Sequence, residues 1–252
     1  MVTDPTFYAL AIVAVVLMGL AKGGFSGVGA VSMPLLALTI SPVKAAAILL
    51  PILIVQDVVS VWSFRRTWDR HVLAVMLPGA VVGIVLGYLL AAQVSAVAVL
   101  GALGAISIIF AGQRLWVLFA GGVRAAPTSR WIVGVAFGGL AGFTSQIAHA
   151  GGPPFQMWVL PRNLPPAAFV GTSAIFFATI NWIKVPAYMA LGQFTSENLL
   201  TAAVLLPVAI ASTFAGVWLV RRLQAERFYL VVYVLMILVG LRLVWEATQG
   251  LR

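Results

Sequence analysis

Cysteine is absent from this chain, and charge is scarce. Without cysteine there are no disulfides and no thiolate metal sites. Only 8% of the residues are charged, against roughly 25% in a soluble domain, so no water-covered globule can be built from this composition. Two histidines far apart in the sequence, with no HExxH arrangement, argue against a zinc protease. No GxxxxGK[ST] phosphate loop is present either, so the chain carries no ATP-hydrolysing site of that type. Nothing in the sequence requires a cofactor.

What fills the chain instead is apolar: 62% of its residues are hydrophobic. They fall into eight long runs, Phe7–Ala21, Ala45–Phe64, Val72–Ala92, Val94–Ala111, Trp131–Phe143, Ala167–Ile183, Leu199–Val220 and Phe228–Val244. A helix of about 20 apolar residues crosses a bilayer core, and eight such elements leave no room for a soluble domain. The expected fold is therefore an all-α, multi-pass membrane protein whose main partner is the lipid bilayer, in the inner membrane of the cell. The net charge of +9 sits in short clusters at helix ends, Arg65, Arg66 and Arg70, then Arg114, Arg124 and Arg130, then Arg221, Arg222 and Arg227. That placement sets membrane topology and does not describe a nucleic-acid groove. The first run lacks a basic leader and a small-residue cleavage site, and reads as a first membrane element.

The chain also repeats itself. Gly19 through Gly29, followed by Pro42 and Ala45, matches Gly142 through Gly152, followed by Pro165 and Ala168, at one constant offset. Leu77, Pro78 and Gly87 match Leu206, Pro207 and Gly216 at a slightly larger one. The expectation is two repeats of about four helical elements, 1–124 and 125–252. Charge suggests that they are inverted. The basic loop Arg65–Arg70 has a counterpart, Gly192–Asn198, holding only Glu197, whereas uncharged Ala91–Ala96 corresponds to basic Arg221–Arg227.

Inversion needs an odd number of crossings per repeat, and the glycine-rich first element supplies the means. Phe7–Ile40 as one helix would be about 50 Å long at 1.5 Å per residue, and glycines between Lys22 and Gly29 would break it. Trp131–Leu160 is broken in the same way at His149–Pro154. Each repeat is thus expected to open with a broken, Gly-rich helix hairpin. With both legs returning to the same side, the arginines from Arg65 to Arg227 face the cytoplasm, and Lys44 and both termini lie outside.

Non-helical backbone at membrane depth is tolerated where it is buried in protein or lines a wet cavity. The two breaks are accordingly the candidate binding site. Glycine lets backbone N–H groups approach a ligand, and broken helix ends aim partial positive charge at it, so the ligand expected is a small anion. The isolated glycines Gly79, Gly83, Gly87, Gly101 and Gly104 fit close helix packing better.

Polar residues inside the runs add to this. A lysine or aspartate near a membrane helix centre costs about 2.5–3.5 kcal/mol, so it faces a partner or a pathway. Lys22 at the first break is the candidate countercharge, with Gly23, Gly24 and Ser26 beside it. His149 at the second break can bond an anion or exchange a proton, with Gly151 and Gly152 following. Ser145 and Gln146 precede that break; Thr172 and Ser173 open the sixth run. Asn181 and Lys184, three apart, share a helix face. Lys184 lies toward an outer end, where lysines commonly snorkel to the interface. Asp57 can pair with Lys22, relay protons, or bond a cytoplasmic arginine. Asp57 and Lys184 are the candidates for proton coupling or further countercharge. Ser26 in Gly-Phe-Ser-Gly touches on an intramembrane serine-protease pattern, but Val28 stands where G-x-S-x-G requires glycine.

These segments resemble the TauE/SafE sulfite-exporter family. The likeness runs through Leu20–Gly29 with Met33 and Pro34, Ala45–Asp57, Gly142–Pro154, Val170–Ser173, Asn181 with Lys184, Leu191–Asn198 and Leu219–Arg222. Its most specific piece is His149-Ala-Gly-Gly-Pro-Pro154, and it departs where the first glycine run is interrupted at Gly27-Val-Gly-Ala-Val31. The resemblance implies a secondary transporter, not an enzyme, that exports sulfite, sulfoacetate or other organosulfonates. An uptake permease or channel-like path for a sulfur oxyanion or thiosulfate is the alternative. Export down an inside-negative potential gains about 2.3 kcal/mol per charge per 100 mV, so proton coupling is optional. A homo-oligomer is compatible with the sequence.

Overall fold

Helix ends in this protein are marked by short polar residues standing just ahead of apolar runs. Asp4, Ser41, Asp69, Ser95 and Thr195 each accept a backbone N–H from the first turn that follows, a cap worth about 1 kcal/mol. The computed structural model describes residues 2, 4–25, 27–91, 93–120, 130–220 and 226–250, without the side chains of 226–229. Among the described residues the regular structure is entirely helical.

In chain order the elements are α1 (Pro5–Gly23), a 3₁₀ turn (Val28–Val31) leading into α2 (Ser32–Ala37), α3 (Pro42–Phe64), α4 (Arg70–Leu90) and α5 (Ala96–Phe119). There follow α6 (Trp131–Ala148), α7 (Gly152–Val159) with a 3₁₀ turn (Leu160–Arg162), α8 (Pro166–Ala190), α9 (Ser196–Leu219) and α10 (Glu226–Gly250). Eight of these are long and apolar enough to span a bilayer, and α2 and α7 are the short exceptions. The chain is a multi-pass membrane protein. α5 continues past the apolar run that ends at Ala111, because Gln113 and Arg114 are good helix formers.

Both long glycine-rich runs are broken where the sequence places the breaks. α2 turns back along α1, with Ser32 Oγ donating to Ala14 O at 2.7 Å. α7 turns back along α6, with Trp158 packed where a side chain on Gly134 would stand.

Close helix approach then sets which elements meet and in which direction. A Cβ on Gly79 would sit 2.0 Å from Val135 O, and one on Gly83 2.0 Å from Gly139 O. α4 and α6 therefore run side by side in the same direction, in contact through backbone. α1 and α9 do likewise: Gly19 packs on Ser212, Gly23 on Gly216 and Gly24 on Val220. α5 and α10 run antiparallel, as Gly104 meets Gly240 while Gly101 faces Ala247. α3 and α8 are also antiparallel, as Asp57 meets Asn181 and Phe64 O lies against Gly171.

One end of the bundle gathers Arg65, Arg66, the end of α1 and the start of α8. The opposite end holds the Lys44–Glu197 ion pair at 3.0 Å and the bond from Val2 N to Thr201 Oγ1. Trp62, Trp116, Trp131 and Trp218 are exposed toward the arginine-bearing end, the position that amphipathic rings take at a membrane interface. Inside, two apolar clusters form. One joins α1, α2, α5, α9, α10 and much of α3; the other joins α4, α6, α7 and α8.

Candidate functional site

α1 stops because the chain reaches two glycines. Gly24 takes a left-handed conformation with φ 134°, and Phe25 N closes the helix by donating to Leu20 O at 3.1 Å. Gly27, with φ 95°, then redirects the chain into the 3₁₀ turn, and a Cβ there would stand 3.0 Å from the Tyr233 hydroxyl. The conformation demands glycine at Gly27, and the space beside it is tight.

The second break uses a different device. His149 itself takes the left-handed position, φ 49°, with its N–H donating to Ser145 O at 3.1 Å. Non-glycine residues occupy that region uncommonly, and here the geometry turns the imidazole inward. Its Nε2 lies 2.8 Å from Ala46 O on α3.

Between the breaks, and between the two apolar clusters, lies a cavity of about 100 Å³. A water needs roughly 10–15 Å³ of such space, so the cavity suits a small ion with several ligands. Lys22, Ser60, Ser145, His149, Gln156 and Asn181 give it polar walls, with Ser173 and the backbone of Gly27, Gly29 and Gly152. Phe177, Met18 and Leu53 supply apolar ones. Gln156 is buried, and its Oε1 has no partner among the described residues.

The charges are arranged in two groups. In the first, Asp57 is shared: its Oδ1 is paired with Lys22 Nζ, and its Oδ2 accepts from Asn181 Nδ2 at 2.6 Å. Ser60 Oγ caps the same end of α1 by donating to Lys22 O at 2.7 Å. In the second, Lys184 is fully buried. Its Nζ lies 3.0 Å from Ser145 Oγ, 3.2 Å from Ser145 O and 2.8 Å from His149 Nδ1. Among the described residues Lys184 has no carboxylate partner. Lys184 therefore does not snorkel. α8 packs into the bundle on that face, and Ser145 and His149 satisfy its N–H groups before it could reach an interface.

Of the residues singled out from sequence, the structure brings Lys22, Ser145, His149, Gly152, Ser173 and Asn181 to the cavity wall. Asp57 and Lys184 stand directly behind that wall. Gly23 packs against Gly216, and Gly151 against Ala141 O. Gln146 lies against Gly87, and its backbone carbonyl accepts from the Tyr188 hydroxyl at 3.0 Å. Thr172 Oγ1 accepts from Asp69 N at 2.8 Å, tying α8 to the loop before α4. Ser26 lies outside the described residues. Sequence reasoning passed over Ser60 and Gln156. Ser60 is one helical turn after Asp57 and so shares its face; Gln156 is polar within an otherwise apolar half-helix.

Gly24 lines a second, larger cavity of about 520 Å³ at the arginine-bearing end. Arg65, Arg66, Ser63 and Thr67 make it basic and polar, and Val170 is common to its wall and that of the central cavity. Arg65 is turned back toward α3, donating to Trp62 O at 2.7 Å and stacking over the Trp62 ring. This basic vestibule and the central cavity adjoin at Val170.

Compared with known proteins, residues 11–243 match the family model described as Sulfite exporter TauE/SafE. No curated protein and no solved structure gave a match.

Proposed function

The chain belongs to the TauE/SafE sulfite exporter family, and from that premise we propose that it carries a small sulfur-containing anion out of the cytoplasm through the central cavity. Membership makes it a membrane transporter of the sulfur-anion class; sulfite, sulfoacetate or another organosulfonate as cargo, and export as direction, are our reading. The observation that carries the reading is the cavity between the two helix breaks. It is small, lies between the apolar clusters, and is walled by Lys22, Ser145, His149, Asn181, Gln156 and glycine backbone. Such a set offers N–H and O–H donors to an oxyanion from several directions.

In this mechanism the vestibule lined by Arg65 and Arg66 opens to the cytoplasm and raises the local anion concentration. Movement around Val170 and Gly24 would connect it to the central site. The protein sits in the inner membrane, and its halves, 1–124 and 125–252, act as inverted copies that rock about the site. Support for inversion comes from paired packing: α1 with α9 matches α6 with α4, while α3–α8 and α5–α10 each join equivalent elements antiparallel. The boundary between the halves lies outside the described residues.

A thermal-shift screen of the purified protein against sulfite, thiosulfate, sulfate, sulfoacetate and taurine identifies the ligand. Flux of the best ligand into and out of proteoliposomes then tests direction. The expected result is saturable transport that falls at least tenfold in Lys22→Met. A Lys22→Met protein that moves the anion at the normal rate would remove Lys22 from the mechanism.

A further inference from the structure

We propose that Lys184, behind the cavity wall, and His149, in it, form a proton-binding site, and that the transported anion binds together with one proton held there. The inference rests on the reading of the central cavity as the anion site.

The hydrogen-bond geometry limits what this pair can hold. His149 Nε2 lies 2.8 Å from Ala46 O, a group that can only accept, so Nε2 carries a hydrogen. His149 Nδ1 lies 2.8 Å from Lys184 Nζ. One hydrogen fills that contact, donated by either nitrogen to the other's lone pair. A charged lysine facing a charged imidazole would set two hydrogens against each other. The pair is therefore either neutral or singly positive, and one proton separates the two states.

The surroundings decide when that proton is held. Lys184 has no water-exposed surface, and His149 is stacked 6.0 Å from the buried Tyr188 ring. Ser145 of α6 contributes only neutral oxygens. The charges near the pair are Lys22 on α1 and Asp57 on α3. Asp57 is already committed, one oxygen to Lys22 and the other to Asn181, so it does not serve the pair as a counter-ion. A positive Lys184–His149 pair in the empty site is thus an uncompensated buried charge, which is costly. An anion in the cavity, against Ser145 and His149, supplies the missing charge. Anion and proton consequently favour each other's binding, and by linkage the effect is reciprocal.

This has a consequence for energetics. A singly charged sulfonate accompanied by this proton crosses without net charge, so the membrane potential neither drives nor opposes it. A pH difference across the membrane does. Doubly charged sulfoacetate, by contrast, still carries one charge across.

Calorimetric titration of the full-length protein in detergent tests the coupling. Sulfoacetate serves as the probe because its groups stay ionised between pH 6.5 and 8.5, and Tris and bis-Tris, as chloride salts, add no competing oxyanion. The expected result is an apparent affinity that tightens as pH falls, by up to about tenfold per unit. Binding heats should differ between the buffers by an amount reporting net proton uptake. Lys184→Met and His149→Gln, the second keeping an amide at the same place, each leave one titratable member of the pair and should each shift the pH range of the uptake, and the double variant should abolish it. Binding with equal heats in both buffers and a pH-independent affinity overturns the proton site while leaving the anion site standing. Uptake that persists in the double variant also overturns it. If none of the sulfur anions binds at any pH, the reading of the cavity itself fails, and this inference with it.

Discussion

Asn181 Nδ2 lies 2.6 Å from Asp57 Oδ2, joining α8 to α3 across a separation of 124 residues. With Lys22 on the other oxygen, Asp57 is the one acid at the centre of the candidate site among the described residues. It fixes the end of α1, the middle of α3 and the face of α8 relative to one another.

Removing Asp57 alone should therefore be harmful. Asp57→Asn leaves the Lys22 ammonium nearly buried and without its carboxylate, a loss of about 3–5 kcal/mol for pairs of this kind. The double variant Lys22→Met with Asp57→Leu should recover most of that stability while losing anion binding. Thermal melts of the three proteins in one detergent check this. A double variant no more stable than Asp57→Asn would show that the pair is not what holds these helices.

The glycines on α4 should divide sharply from one on α5. Gly83→Val puts a side chain into Gly139 O, where even a Cβ would stand at 2.0 Å, so α4 and α6 must separate. Folded yield, read by size-exclusion profile, should collapse. Gly112→Ala meets nothing within 4 Å, and should leave yield unchanged or slightly raised, since alanine is the better helix former by about 1 kcal/mol. Equal yields from both variants would contradict the packing described.

Gln156 should matter for binding and little for folding. Its Oε1 has no partner among the described residues, so Gln156→Leu removes an unpaired buried group at no loss of a hydrogen bond from that atom. If its amide turns to donate to the anion, the variant loses a charge-assisted bond worth about 1.5–3 kcal/mol, or roughly ten- to a hundredfold in affinity. The check is ligand titration beside a thermal melt. Unchanged affinity would place Gln156 outside the binding set.

Inversion of the halves has its own test. Reporter fusions at Thr67 and at Gln224 should both report the cytoplasmic side. Eight plain crossings with the halves parallel would put them on opposite sides.

Much of this protein follows from the sequence alone. Scarce charge and eight apolar runs leave helices in lipid as the only way to satisfy the backbone, and the helices stand where the runs are. The breaks were legible because glycine destabilises a helix interior wherever it occurs. The tight spacing of Lys22 to Gly29 and of His149 to Pro154 concentrates that effect locally. The cluster Arg65, Arg66 and Arg70 was legible as well, between the end of α3 and the start of α4, while Arg124, Arg221 and Arg222 lie outside the described residues.

What the sequence could not decide is how three intramembrane charges divide among partners. Lys22, Asp57 and Lys184 lie on three different helices, and each could equally have faced a cavity, a neighbour or an interface. The close approach of α1 to α9 and of α4 to α6, through Gly23 and Gly83, sets the depth and rotation of every helix around them. Only that packing gives Asp57 to Lys22 and Asn181, and only that packing turns Lys184 inward onto His149. A hydropathy profile records how many charges are buried. Which of them is left without an opposite charge depends on distances of a few ångströms between helices, and those exist only once the chain has folded.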